Sequence, residues 1–179
     1  MSNFKFYTTE NSEGDAKEIL TAVNKKYGFV PNLFAYMAEA PYTIEAYALL
    51  TDLLSKTGLT GAQQQIALLA VSNYHNCDFC RVAHQAFGKM SQANPQTLKA
   101  IVDEEEINDS SDKALVDMII AIVHNRGWVS DEDLAKFFDA GFNQRNVYDL
   151  ILITTIKTLS NYSNHLTKPE ANEQLVSMI

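Results

Sequence analysis

The sequence carries very little of the punctuation that strands and hairpins need. Four prolines and seven glycines serve 179 residues, and between them apolar residues recur at spacings of three and four, the period of a helix rather than a strand. An all-α fold follows. The first helix runs from Gly14 to Tyr27 and stops at Gly28, since glycine reaches the left-handed conformation that closes a helix. Phe29 to Asn32 reads as a linker. Helical patterns over Leu33–Ala40 and Thr43–Ser55 are separated by Pro41, which disfavours helical geometry at Ala40. Thr60 can cap a helix through Gln63, Ile66, Leu69, Ala70 and Asn73, and a further stretch starts near Asn76 and carries Cys77 to Met90. Pro95–Val102, Ser111–His124, Asp131–Ala140 and Asn143–Leu166 complete the set, with Ser130 and Asn143 as caps and Gly127 and Gly141 in turns. No repeat or shift in composition divides the chain, so residues 1–179 read as a single domain, a size that buries an adequate core.

Charge narrows the partners. Twenty-two acidic against 14 basic residues give a net charge of −8, which repels phosphate backbones and anionic lipid and argues against nucleic acid and membrane surfaces. No apolar run approaches the ~20 residues that span a bilayer, and the polar first 13 residues do not resemble a signal peptide, so the expected location is cytoplasmic. Phosphate-binding glycine loops, serine-hydrolase elbows and cofactor fingerprints are lacking, and no cofactor is expected. The acidic run Asp103 to Glu106 lacks the glycine and spacing of a calcium loop and reads as a solvated connection, not a metal site.

Chemistry concentrates between Ser72 and His84, where both cysteines of the chain, Cys77 and Cys80, lie three residues apart. On one helical face their α-carbons would stand about 5 to 6 Å apart, within reach of a disulfide. In a reducing compartment such a pair suggests redox or metal chemistry rather than a structural staple. His84, four residues beyond Cys80, lies one turn along the same stripe and could exchange a proton with that thiol. Cys77 stands near the helix start, where the dipole favours its thiolate, with Asp78 weakly opposing. Two plainer readings remain open: a pair of small core residues, and a zinc site written from His75, Cys77, Cys80 and His84. Against zinc, His75 and Cys77 are two apart and diverge, and no second cysteine pair closes the tetrahedron. His75, His124 and His165 read as surface or capped core residues, Trp128 as packing, and Phe137, Phe138 and Tyr148 as core or subunit interface.

The segment Val30-Pro31-Asn32-Leu33-Phe34, the helix from Leu59 to Ser72 and the Cys77-x-x-Cys80-x-x-x-His84 signature together resemble the carboxymuconolactone decarboxylase superfamily, in its alkylhydroperoxidase D-like (AhpD-like) branch. The likeness spans about Val30 to Pro169, with looser agreement in Val129 to Asp133 and at Gly141-Phe142. It implies an all-helical fold that assembles into homo-oligomers, trimers or hexamers. It also implies that Cys80 is oxidised by peroxide, that Cys77 resolves it as a disulfide later reduced by a dithiol partner, and that His84 is the relay base. One position departs: a glutamate stands twelve residues before the first cysteine in peroxidase members, where this chain has Gln65. An amide cannot take up a proton at neutral pH, so Gln65 could hold a water or orient His84 but not act as a general base. Gln65 and Ser72, seven apart, could form a polar wall facing the cysteines. Glu45 and Asp52 are candidate substitutes for the missing acid.

Three function classes compete on these grounds. The first is a thiol-dependent peroxidase acting on hydroperoxides with a dithiol reductant. The second is a weakly active redox sensor or interaction protein, favoured by Gln65. The third is a decarboxylase-like enzyme on a small acidic lactone, disfavoured by the cysteine pair and by the scarcity of cationic clamps.

Overall fold

The computed structural model describes residues 3–179, and among them the chain is helical without strands. Its helices are α1 (Gly14–Tyr27), α2 (Asn32–Met37), α3 (Pro41–Asp52) continued by a 3-10 turn (Leu53–Lys56), α4 (Gly61–Tyr74), α5 (Asp78–Met90), α6 (Pro95–Asp103), α7 (Ser110–His124), α8 (Asp131–Asp139), α9 (Gln144–Thr167) and a short α10 (Glu173–Val176). The expected boundaries hold to a few residues. Asn32 belongs to a helix rather than to a linker, because Pro31, whose backbone is fixed near a helix entry, lets α2 start directly after it. The helix expected to reach Ala40 ends at Met37, since Ala40 is extended ahead of Pro41 at the first position of α3.

The organising helix is α4, where every residue from Ile66 to Asn73 is buried. A helix enclosed on all sides needs no polar face, and α4 packs against α5, α6, α7 and α9. Thr60 and Gln63 start it with a reciprocal capping box, so the Gln63 side chain serves the backbone here. Ser130 and Asn143 cap α8 and α9 as expected. Gly28, Gly127 and Gly141 all have positive φ.

Two apolar clusters flank α4. The larger joins α4, α6, α7, α8 and α9 around Leu69, Leu115, Ile119, Phe137 and Ile153. The smaller joins the N-terminal helices to α5 and α10 through Leu20, Phe34, Ile44, Phe79 and Leu175, and both cysteines sit in it. The C-terminal tail is pinned to the start of α2, where the Asn172 side chain accepts from the Asn32 amide at 2.9 Å and donates to the Val30 carbonyl at 3.2 Å. Trp128, expected to pack, is 87% exposed in the turn after α7. Phe137 is core, Phe138 borders on it, and Tyr148 points outward from α9.

α9 is the longest element, and one of its faces is unusual. Lys157, Ser160, Asn161 and Asn164 recur at helical spacing and are all buried. A polar stripe that deep requires partners inside the protein, and it finds several of them on α5 and in the turn that precedes it.

Candidate active site

Cys77 occupies the N-cap of α5 and Cys80 its first turn, because the chain turns sharply between α4 and α5 through Asn76, which adopts positive φ. Asparagine tolerates that conformation better than most residues. The Cys77 amide donates to the Ser72 carbonyl at 2.9 Å, closing the end of α4 against the start of α5. Both cysteines are free thiols and buried, at 2% and 3% exposure. One amide group bridges them: Asn164 Nδ2 donates to Cys80 Sγ at 3.2 Å and to Cys77 Sγ at 3.6 Å.

The two thiols are electrostatically unequal. The Cys77 thiol donates to Cys80, and with the Lys157 charge and hydrogen bond and the Asn164 amide this outweighs burial and brings the Cys80 pKa down to about 5. The same donated hydrogen bond, reinforced by burial and the neighbouring Cys80 charge, pushes the Cys77 thiol up. The expectation that the helix dipole favours a thiolate at Cys77 is therefore reversed. A residue at the N-cap whose proton is committed to a neighbouring anion stays protonated, and the first-turn sulfur receives the donors.

Lys157 is the component that the sequence reading missed. It is fully buried, and its Nζ lies 2.9 Å from His84 Nε2. A buried ammonium requires an anion nearby, and none of the side chains lining the adjoining cavity is a carboxylate. The Cys80 thiolate supplies that charge. His84 is buried as well, and burial together with the Lys157 charge holds its pKa well below the ordinary histidine value. The ring is thus neutral at pH 7, with Nε2 accepting from Lys157 and Nδ1–H donating to Gln65 Oε1 at 3.0 Å. His84 consequently reaches Cys80 through Lys157, and Gln65 fixes the tautomer as an acceptor.

Ser72 does not join Gln65 in a polar wall. Its hydroxyl donates to the Leu68 carbonyl at 2.6 Å within α4, and its side chain lies outside the cavity lining. Glu45 is exposed, and Asp52 pairs at the surface with Lys26 at 3.3 Å. Neither replaces the absent acid. The zinc quartet does not converge either: His75 bonds Asn161 Oδ1 at 3.2 Å, whereas both nitrogens of His84 are engaged by Gln65 and Lys157. His124 is bonded by Tyr74 at 2.8 Å, and His165 is exposed.

Cys80, His84 and Gln65 border a cavity of about 340 Å³ whose remaining walls are mainly aromatic and aliphatic, including Phe34, Tyr47, Phe79, Phe87 and Leu175. Cys77 does not line it. The arrangement sets a buried thiolate against an apolar chamber, with a second thiol held alongside in its protonated state.

No family model and no curated protein matches the chain. Solved structures do match. One is an uncharacterized peroxidase-related protein from Ralstonia eutropha JMP134 described as an alkylhydroperoxidase AhpD core, with a TM-score of 0.84 at 23% identity, covering 99% of this chain and 95% of that one. Another is an uncharacterized peroxidase-related protein from Silicibacter sp. TM1040, with a TM-score of 0.77 at 21% identity over 92% of this chain and 88% of the other. The apo debrominase Bmp8 matches with a TM-score of 0.76 at 13% identity over 99% and 96% of the two chains, and a further structure holds a Bmp8 variant with 2,3,4-tribromopyrrole. Likeness at this level of identity concerns the course of the chain, and by it the protein has the alkylhydroperoxidase D-like fold.

Proposed function

We propose that the protein is a thiol-dependent peroxidase that reduces hydroperoxides through a Cys77–Cys80 dithiol/disulfide cycle. The observation that carries this reading is the buried Cys80 thiolate, held by Lys157 and Asn164 at the edge of an apolar cavity with a protonated Cys77 beside it. The Cys80 thiolate attacks the terminal oxygen of the hydroperoxide and the O–O bond breaks, leaving a sulfenic acid on Cys80. The departing alkoxide needs a proton, and the Lys157 ammonium supplies it by way of the His84 ring, which lines the cavity beside Gln65. Cys77 then attacks the Cys80 sulfur, its proton leaves with the hydroxide as water, and the disulfide forms. A dithiol reductant closes the cycle. The aromatic walls suit an organic hydroperoxide better than hydrogen peroxide.

The same cavity admits a second reading, because a polarised thiolate against aromatic walls could also take a halogen from a planar ring, the chemistry named for the debrominase neighbour. The lactone alternative has little support, since the cavity's one lysine, Lys26, is paired with Asp52 at the surface. We place the protein in the cytoplasm, where the dithiol would rest reduced, and as a homo-oligomer, a trimer or hexamer, joined through the exposed apolar face of α9.

Loss of both thiols on adding one equivalent of cumene hydroperoxide, followed by turnover with dithiothreitol, is expected. In Cys77→Ser a dimedone-type probe should label Cys80, and in Cys80→Ser it should label little. Stoichiometric oxidation without turnover would favour a redox sensor. Thiols inert to peroxide but active on a bromopyrrole would favour the second reading.

A further inference from the structure

The dithiol is approached from two separate openings. Cys80 lines the apolar cavity, whereas Cys77 lines a different cleft of about 600 Å³ formed by Asn76, Asp78, Asn164, Lys168 and Ala171, and of all the lining residues only Phe79 is common to both. The cleft has a different character from the cavity: Asp78, Lys168 and Glu170 place charges of both signs around it. Next to Cys77, among the described residues, Oδ1 of Asn164 is a buried polar atom without a hydrogen-bond partner. Asn164 is 4% exposed, and a buried orphan of this kind is rare.

We propose that the cleft floored by Cys77 is a reductant site, where a small dithiol attacks the Cys77–Cys80 disulfide at Cys77 while the peroxide is served from the other opening. This rests on the disulfide cycle of the preceding section and names where its second half takes place. Thiol–disulfide exchange proceeds fastest when the better leaving thiolate departs. Asn164 Nδ2 lies nearer Cys80 than Cys77, at 3.2 Å against 3.6 Å, and Lys157 hydrogen-bonds Cys80, so departure of Cys80 is favoured and the sulfur to be attacked is Cys77. The first thiolate of the reductant forms an S–S bond with Cys77 as the Cys77–Cys80 bond breaks, and Cys80 leaves as the thiolate. The second thiol of the reductant, losing its proton, attacks the reductant sulfur of the mixed disulfide. That step releases Cys77, which takes up a proton, and the reductant departs as its cyclic disulfide, two electrons poorer. Asn164 Oδ1 is the acceptor available to the S–H of the reductant's second thiol. With Cys77 only 2% exposed, the attacking sulfur must enter the cleft, which selects a slender molecule or arm.

The disulfide form is prepared with diamide, so that the test does not depend on peroxide activity. In the wild-type chain, one equivalent of glutathione followed by alkylation and peptide mass spectrometry should place the glutathionyl adduct on Cys77 and the alkyl group on Cys80. The reverse placement overturns the proposal. Ala171→Trp, at the cleft wall, should slow reduction by dithiothreitol about tenfold or more through lost access to the attacked sulfur, while oxidation of the reduced form by cumene hydroperoxide keeps its wild-type rate. Met178→Trp, at the cavity wall, should do the opposite. Equal slowing of both half-reactions by Ala171→Trp, or of neither, also overturns it. Failure of wild-type thiols to react with peroxide overturns the peroxidase reading alone.

Discussion

At the residue scale the decisive group is Lys157. Lys157 is the cation that faces the Cys80 sulfur, and burial by itself would have raised that thiol. Lys157→Met keeps the length and apolar stem of the side chain but removes the charge, so Cys80 should return toward an ordinary thiol. The ultraviolet absorbance of the thiolate should titrate near pH 5 in the wild type and well above neutrality in the variant. Reaction with peroxide at pH 7 should fall about tenfold or more, following the loss of thiolate. Because the folded-state pKa is depressed, the ion pair stabilises the protein above the unfolded thiol's pKa and loses that contribution as pH falls toward 5. Lys157→Met should therefore be less destabilising at pH 5 than at pH 8. An unchanged titration would show that the Cys77 hydrogen bond alone sustains the thiolate. Gln65 takes on a smaller role than its position suggests, since a thiolate already formed near pH 5 has little use for an additional base.

At the element scale, close approach of α5 and α6 fixes the helix that carries both cysteines. A Cβ at Gly88 would meet Leu98 Cδ1 at 2.9 Å and Cδ2 at 3.0 Å. Gly88→Ala should gain about 1 kcal/mol of helix propensity and lose about 1 to 3 kcal/mol to overpacking, for a net destabilisation. In a Leu98→Ala background the same change should become stabilising. Chemical denaturation of the four proteins measures the coupling, and additive effects would mean that Leu98 simply swings aside. The helices themselves were legible in the sequence, because capping residues such as Thr60, Ser130 and Asn143 and the stops at Gly28 and Gly141 are local signals. The Cys77, Cys80 and His84 stripe was legible for the same reason, since its residues lie within two turns of one helix. Lys157 was not, because its meaning depends on α9 crossing α5 some seventy residues away. A trace of it was there: Lys157, Asn161 and Asn164 fall at i, i+4 and i+7 in a helix whose surroundings are apolar, and a polar stripe of that period is unnecessary on a solvated face. Ser72 misled in the opposite sense, because a serine inside a buried helix can satisfy itself on the carbonyl four residues back.

At the scale of the whole molecule, the same long helix presents a second, outward stripe. Tyr148, Ile151, Tyr162 and Leu166 are 73%, 45%, 53% and 64% exposed, and with Thr155 between them they follow spacings of three, four, seven and four along α9. A groove of about 950 Å³ runs beside this stripe between α9 and the end of α7, lined by Ile122, Val123, Ile151 and Tyr162. Large apolar side chains aligned on one helix and left in water favour burial against another copy, and a repeated self-complementary face closes into a symmetric oligomer. Light scattering coupled to size exclusion should return three or six times the 20.0 kDa of one chain. Ile151→Glu should shift that mass downward, because a carboxylate buried at a subunit contact has no partner there. Its thiols should still titrate as in the wild type, since the face that carries Ile151 is not the one that carries Lys157 and Asn164. A wild-type mass of 20.0 kDa at micromolar concentration would leave the stripe without this explanation. A dissociated variant whose Cys80 no longer ionises near pH 5 would instead show that assembly and the thiolate site depend on each other through α9.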